Sequence, residues 1–192
     1  GLVGCFSLYW AKVLGGWGNN GVAVTNDEET ARKMRLMRYN GEDREDRKFY
    51  YHGHNFLMDN LQAALLNVKL KYLPQWLKRR KEIAQKYHNG LENISQVRIP
   101  RFADQRFEDI YINYVIRAEK RDELKKYLEE QGVETMISWP IPTYKQPLMT
   151  PNEISLPETE RICKEVVSLP IYPELEDEQV EYVTKAVKTF YS

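Results

Sequence analysis

Residues 6–27 read FSLYWAKVLGGWGNNGVAVTND. An apolar run ends at Ser7 and Leu8, a single lysine follows at Lys12, and Gly15, Gly16, Gly18 and Gly21 crowd the return path into Val22, Ala23 and Val24. Two short apolar segments around a glycine-rich turn predict two strands joined by a loop, with Lys12 on the loop. The local chemistry leaves two readings of that lysine. In one, a lysine beside a hairpin lays its stem on apolar neighbours and keeps its ammonium in water. In the other, Phe6, Leu8, Tyr9, Trp10, Val13, Leu14 and Trp17 exclude water around the amine, and desolvation favours the neutral, nucleophilic form.

Working outward, Asn26 or Asp27 is the expected cap of a helix, TARKMRLMRYNG, with Glu28 and Glu29 in the first turn and Gly41 as its stop. Residues 41–55, GEDREDRKFYYHGHN, have no regular period and form a charged, aromatic loop. Met58, Leu61, Leu65, Val68, Tyr72 and Leu73, then Trp76, Ile83, Tyr87 and Leu91, recur at helical spacing. They predict a long helix that Pro74 kinks or breaks near Leu73, best read as kinked, ended by Asn89-Gly90.

Beyond it, Val97–Ile99 and Ile110–Ala118 read as strands joined by a polar connection over 100–109. Arg121–Gln131 reads as an amphipathic helix capped by Gly132, and Val133–Ser138 as a further strand. Pro140, Pro142, Pro147 and Pro151 break up an irregular segment before closing helices over Thr159–Ser168 and from Asp177 to Tyr191, the last capped by Asp177 with Val180, Val183 and Val187 facing in. The expected organisation is therefore a piece of an α/β unit over 1–57, a linking helix over 58–94 and an α+β domain over 95–192.

Composition limits the function classes. Lys plus Arg equals Asp plus Glu at 28 each, so no net basic field gathers nucleic acid. Cys5 and Cys163 stand far apart with no metal-ligand spacing, which excludes a sequence-encoded metal site and predicts reduced thiols in a cytoplasmic protein. No apolar run approaches the ~20 residues that span a bilayer, and there is no signal peptide. The chain opens without methionine, directly into a strand pattern, and is expected to be a fragment whose N-terminal portion is missing.

Ser7 lies five residues before Lys12, where its hydroxyl can bind a phosphate oxygen, and the glycines allow close backbone approach. Lysine, hydroxyl and glycines together suit an imine with pyridoxal phosphate, although periodicity alone does not separate this from the hairpin reading.

The whole of FSLYWAKVLGGWGNNGVAVTND resembles the lysine segment of the DegT/DnrJ/StrS-type sugar-nucleotide aminotransferases, F-S-F-Y-P-x-K-N-L-G followed by a glycine turn and an apolar strand ending T-N-D. HNFLMDNLQAALLNVKLKYL resembles the family's N-x-R-M-x-x-L-Q-A-A segment, and the later stretches resemble its C-terminal domain in order. The resemblance implies the fold type I pyridoxal-phosphate transferase class, an α/β fold, with a partial large domain, a long kinked helix and a small α+β domain.

By the same resemblance Lys12 is the Schiff-base lysine that shuttles a proton between the donor Cα and the cofactor. Ser7 hydrogen-bonds the cofactor phosphate, and Asn55 reaches the phosphate of a neighbouring subunit in a homodimer with shared active sites. The implied substrates are a nucleotide-linked keto sugar and an amino donor, usually glutamate, in amino-sugar or surface-polysaccharide biosynthesis. His52, His54 and His88 carry no role.

Trp10, Val13, Asn19, Leu57, Ser138 and Tyr144 replace residues typical of the family, which leaves the cofactor anchors and alters the substrate-facing positions. The ring-pairing aspartate that the family carries upstream is not among these residues, so the chain alone is expected to bind the cofactor weakly and to transaminate poorly. A non-catalytic or regulatory member of the same fold is an alternative. A dehydratase relative, which carries histidine at the lysine position, is disfavoured by Lys12. A plain oligomerisation domain over 58–192 is a third possibility.

Overall fold

The computed structural model describes residues 1–101, 108–149 and 154–192. Part of the polar connection over 100–109, and Pro151 in the irregular segment, lie outside the described residues. The chain divides into two compact units, Gly1–Pro74 and Gln75–Ser192, and the division falls within the segment expected as one linking helix.

In the first unit, β1 (Gly4–Ser7) and β2 (Gly21–Val24) pair antiparallel, with Gly4 opposite Val24 and Ser7 opposite Gly21. Helix α1 (Glu28–Arg38) starts at Asp27, whose carboxylate accepts the N–H of Thr30 at 2.7 Å. This hydrogen bond holds the Asp27 carboxyl below its ordinary range. The helix stops through bonds from Tyr39 and Gly41 N–H groups to the Leu36 carbonyl. Gly41 has φ +81°, and a Cβ there would lie 1.7 Å from the Tyr51 carbonyl oxygen, so only glycine fits.

The loop over 41–55 is more ordered than its lack of period predicts. Glu42 and Phe49 form a bridge, and the nearly buried Glu42 pairs with Arg47 at 2.8 Å. His54 N–H bonds to Met37 O, Asn40 N–H to His54 O and Phe56 N–H to Arg38 O. The segment after the loop thus runs back along the end of α1. Helix α2 (Asn60–Leu70) completes the unit, with Leu66 buried.

The expected single kinked helix is two helices, α2 and α3 (Leu73–Leu91). Pro74 is the second residue of α3, in the first turn, where its missing N–H costs no intrahelical bond. The break therefore lies just before the proline rather than as a kink around it.

The second unit has a three-stranded antiparallel sheet, ordered β3 (Val97–Arg98), β4 (Tyr114–Ala118), β5 (Val166–Leu169). Its helices are α4 (Arg121–Glu130), α5 (Pro157–Glu165) and α6 (Asp177–Tyr191). The core joins Ile83, Tyr87 and Leu91 of α3 to Tyr114 and Ile116 of β4, Leu124 and Leu128 of α4, and Val180, Val183 and Val187 of α6.

Two guanidinium groups are built into this core. Arg80 donates from Nη1 to the carbonyls of Tyr111 and Ile171, each at 3.0 Å, and burial lowers its pKa. Arg121 donates from Nη1 to Val166 O at 2.7 Å and Cys163 O at 3.3 Å, setting positive charge at the C-terminal end of α5.

Three expectations are corrected here. The Thr159–Ser168 helix ends at Glu165, and the β-branched Val166-Val167 pair begins β5. The strand expected over Val133–Ser138 reduces to one bridge, Met136 to Ser168. The cap of α6 is Glu176, in a capping box with Gln179, so Asp177 is the first helical residue.

Candidate active site

Lys12 rides on the excursion between β1 and β2. The excursion is closed at its neck, where Leu8 N–H bonds to Asn20 O at 2.8 Å and Gly16 N–H to Leu8 O at 3.0 Å. Buried Leu8 anchors this neck. A tight turn from Tyr9 O to Lys12 N, 2.8 Å, brings the lysine to the apex. Gly15 cannot be larger, since a Cβ would sit 2.4 Å from the Trp10 carbonyl oxygen. From the α2 side, Gln62 Oε1 accepts the Trp17 N–H at 2.8 Å, and Lys69 Nζ donates to Gly15 O at 2.5 Å.

The aromatic neighbours do not enclose Lys12, contrary to the water-excluding reading. Phe6, Trp10 and Trp17 are 57%, 62% and 71% exposed, and Lys12 itself is exposed. The physical reason is local. A two-stranded ribbon has few residues with which to cover its faces, and only one of the eight strand residues, Gly4, is even half-buried.

Ser7 and Asn55, far apart in sequence, line one cleft of about 630 Å³ together with Tyr9, Asn19, Asn20 and Phe56. Ser7 reaches it as the last residue of β1. Asn55 reaches it because its backbone bridges Tyr39, just past α1. Lys12 does not line this cleft; it stands on the loop whose Tyr9 does. His52 is exposed, and His54 stacks on Phe56 with ring centroids 4.8 Å apart.

Among the described residues no charged side chain lines the cleft, and its polar side chains are a serine hydroxyl, a tyrosine phenol and asparagine carboxamides. Neutral O–H and N–H donors of this kind satisfy phosphate oxygens. The donor set therefore fits the phosphate of pyridoxal phosphate, with the Lys12 amine five residues from Ser7 on the same loop. Among the described residues no cluster of side chains suits a metal ion, and no helix is long and apolar enough to cross a membrane.

Residues 1–188 match the model of the DegT/DnrJ/EryC1/StrS aminotransferase family. The chain belongs to this family. It is 39% identical, over its full length, to the pleiotropic regulatory protein of Geobacillus stearothermophilus, of which it covers 52%. It is 35% identical to the dTDP-3-amino-3,4,6-trideoxy-alpha-D-glucose transaminase of Streptomyces venezuelae, with 97% of this chain and 49% of the relative aligned. Its fold superposes with a TM-score of 0.92 on the crystal structure of S. venezuelae DesV in complex with ketimine intermediate, at 34% identity, covering 99% of this chain and 52% of that one.

The chain thus spans about half the length of the relatives it matches. Mixed α/β architecture and these neighbours agree with a partial fold type I domain, and the family's cofactor is pyridoxal phosphate.

Two sets of residues escaped the sequence reading. The cleft wall of Tyr9, Asn20 and Phe56 had no motif of its own. Gln62 and Lys69 stand on one face of α2, and the only signal was the glutamine of L-Q-A-A, quoted as a motif without a role. In the second unit Tyr144, at a position typical of histidine, donates its O–H to Glu160 at 2.6 Å, and Lys145 pairs with the same carboxylate at 2.7 Å. These bonds hold the Glu160 carboxyl below its ordinary range, Lys145 first and Tyr144 second.

Proposed function

We propose that this chain is the lysine-bearing half of a pyridoxal-phosphate aminotransferase that moves an amino group, with glutamate as donor, onto the keto carbon of a nucleotide-linked sugar. The observation that carries the reading is the loop, closed at its neck, that carries Lys12 five residues beyond Ser7, whose strand end lines a neutral polar cleft. Bound cofactor supplies the electron sink that makes a Cα proton removable. Ser7 holds the phosphate of its own subunit's cofactor and Asn55 that of the neighbouring subunit's, each by neutral hydrogen bonds.

Lys12 is the base: its free amine takes the Cα proton of the donor, and its ammonium returns a proton toward the sugar carbon. The turn from Tyr9 to Lys12 fixes where that amine starts, which shortens its search for the reacting carbon. The functional assembly is a cytoplasmic homodimer in which each Asn55 serves the neighbouring subunit's phosphate. The chain takes part in amino-sugar or surface-polysaccharide synthesis.

The test is release of 2-oxoglutarate from glutamate on addition of a panel of nucleotide-linked 3-keto and 4-keto sugars to the full-length protein and pyridoxal phosphate. Turnover that Lys12→Ala removes supports the reading. Turnover that survives Lys12→Ala contradicts it.

A second reading is favoured by one observation, that the Geobacillus relative is named a regulatory protein. On that reading the fold and cofactor cleft serve signalling, and the protein binds cofactor without releasing 2-oxoglutarate with any sugar of the panel.

A further inference from the structure

Gln62 and Lys69 lie two turns apart on one face of α2, with buried Leu66 between them, and both reach the loop that carries Lys12. Gln62 Oε1 accepts the Trp17 N–H at 2.8 Å and lies 3.4 Å from Asn20 Nδ2, so one carbonyl oxygen receives two donors from the return arm of the loop. Gly16 is fitted into the same contact. A Cβ there would lie 2.6 Å from Asn20 Nδ2 and 3.0 Å from Gln62 Oε1. Lys69 adds the bond to Gly15 O. Both glycines are buried, although the apex at Lys12 is exposed.

We propose that Gln62 is a positioning residue for Lys12: its side-chain oxygen fastens the flexible Gly15–Gly18 return arm to α2 and so fixes the loop from which the lysine amine reaches the cofactor aldehyde. The inference rests on the reading of Lys12 as the cofactor lysine. Glycines give this arm wide backbone freedom, and an unfastened loop spreads the amine over many positions. Both fastenings of the return arm, at Trp17 N–H and at Gly15 O, come from side chains of α2. Gln62 does not itself line the Ser7–Asn55 cleft; it meets that lining only through Asn20, and it acts on Lys12 through the loop.

The experiment uses the 192-residue chain as wild type, Gln62→Met, which keeps the side-chain length without the acceptor, and Gln62→Glu, which restores an acceptor oxygen. Two quantities are read. One is hydrogen exchange at the Trp17 amide by NMR. The other is the rate at which pyridoxal 5′-phosphate is trapped on Lys12 by borohydride, located by peptide mass spectrometry and normalised to trapping on the exposed Lys126.

For Gln62→Met the expected results are Trp17 exchange faster by about fivefold to tenfold, the worth of one net hydrogen bond, and Lys12 trapping slower by a similar factor. Gln62→Glu is expected to recover both. Faster exchange with unchanged Lys12 trapping in Gln62→Met overturns the positioning role, as does unchanged exchange. A wild-type chain that traps no more cofactor on Lys12 than on Lys126 overturns the lysine reading itself, and this inference with it.

Discussion

Tyr39 and Asn55 face each other in an antiparallel bridge immediately beyond α1, and this backbone pairing delivers the Asn55 side chain to the cleft that Ser7 enters from β1. The geometry depends on the tight turn at Gly41, which returns the chain beneath the helix end.

Gly41→Ala is therefore expected to disturb cofactor binding from a distance. The new methyl would meet the Tyr51 carbonyl at 1.7 Å on a backbone with positive φ. A loss of about 2 kcal/mol or more in urea-measured stability of the first unit is the expected outcome. Gly18→Ala, with nothing within 4 Å of its added carbon, should be close to silent.

Removing either phosphate anchor should weaken cofactor affinity without unfolding the chain, since Ser7 and Asn55 are both exposed. A hydrogen bond to a charged oxygen contributes about 1.5–3 kcal/mol, so Ser7→Ala and Asn55→Ala should each raise the Kd for pyridoxal phosphate about tenfold to a hundredfold. Equilibrium dialysis measures this directly.

How much of this was legible in the residues differs by element. The cap at Asp27, the stop at Gly41 and the inward Val180, Val183 and Val187 follow from local rules and stand as read. The end of α5 does not. Ile162, Cys163, Val166 and Val167 continue an apolar pattern that a helix tolerates, and only pairing with β4 turns Val166–Leu169 into a strand. At the site, Lys12, Ser7 and Asn55 were named from motif resemblance. The cleft shared by Ser7 and Asn55 was hidden because it depends on the Tyr39 bridge, a long-range contact with no periodic signature. The water-excluding ring around Lys12 does not follow from composition: Phe6, Tyr9, Trp10 and Trp17 neighbour it in sequence but are exposed.

The buried Arg80 ties α3 to the carbonyls before β4 and after β5. Arg80→Met leaves those carbonyls without their donor. It should destabilise the second unit by about 2–4 kcal/mol, read as a lower urea midpoint, and leave cofactor affinity in the first unit unchanged.

Stability of the second unit should fall at high pH. Burial raises the phenols of Tyr87 and Tyr114, and raises Tyr191 to about 12. Between the ordinary tyrosine value of 10.0 and these higher values, the unfolded chain has lost protons that the folded chain retains. The stabilisation is complete below pH 10 and is lost as pH rises through the folded values. Tyr191→Phe should reduce the slope of urea-measured stability against pH between about 10 and 12 by close to one proton's worth.

The central claim is that Lys12 is the residue that joins the cofactor. Its most direct test is the visible absorbance spectrum of the protein saturated with pyridoxal 5′-phosphate, recorded for wild type and for Lys12→Ala. A visible band in the wild type that is absent from the variant is the predicted result. A band of equal strength in both, or none in either, would contradict it.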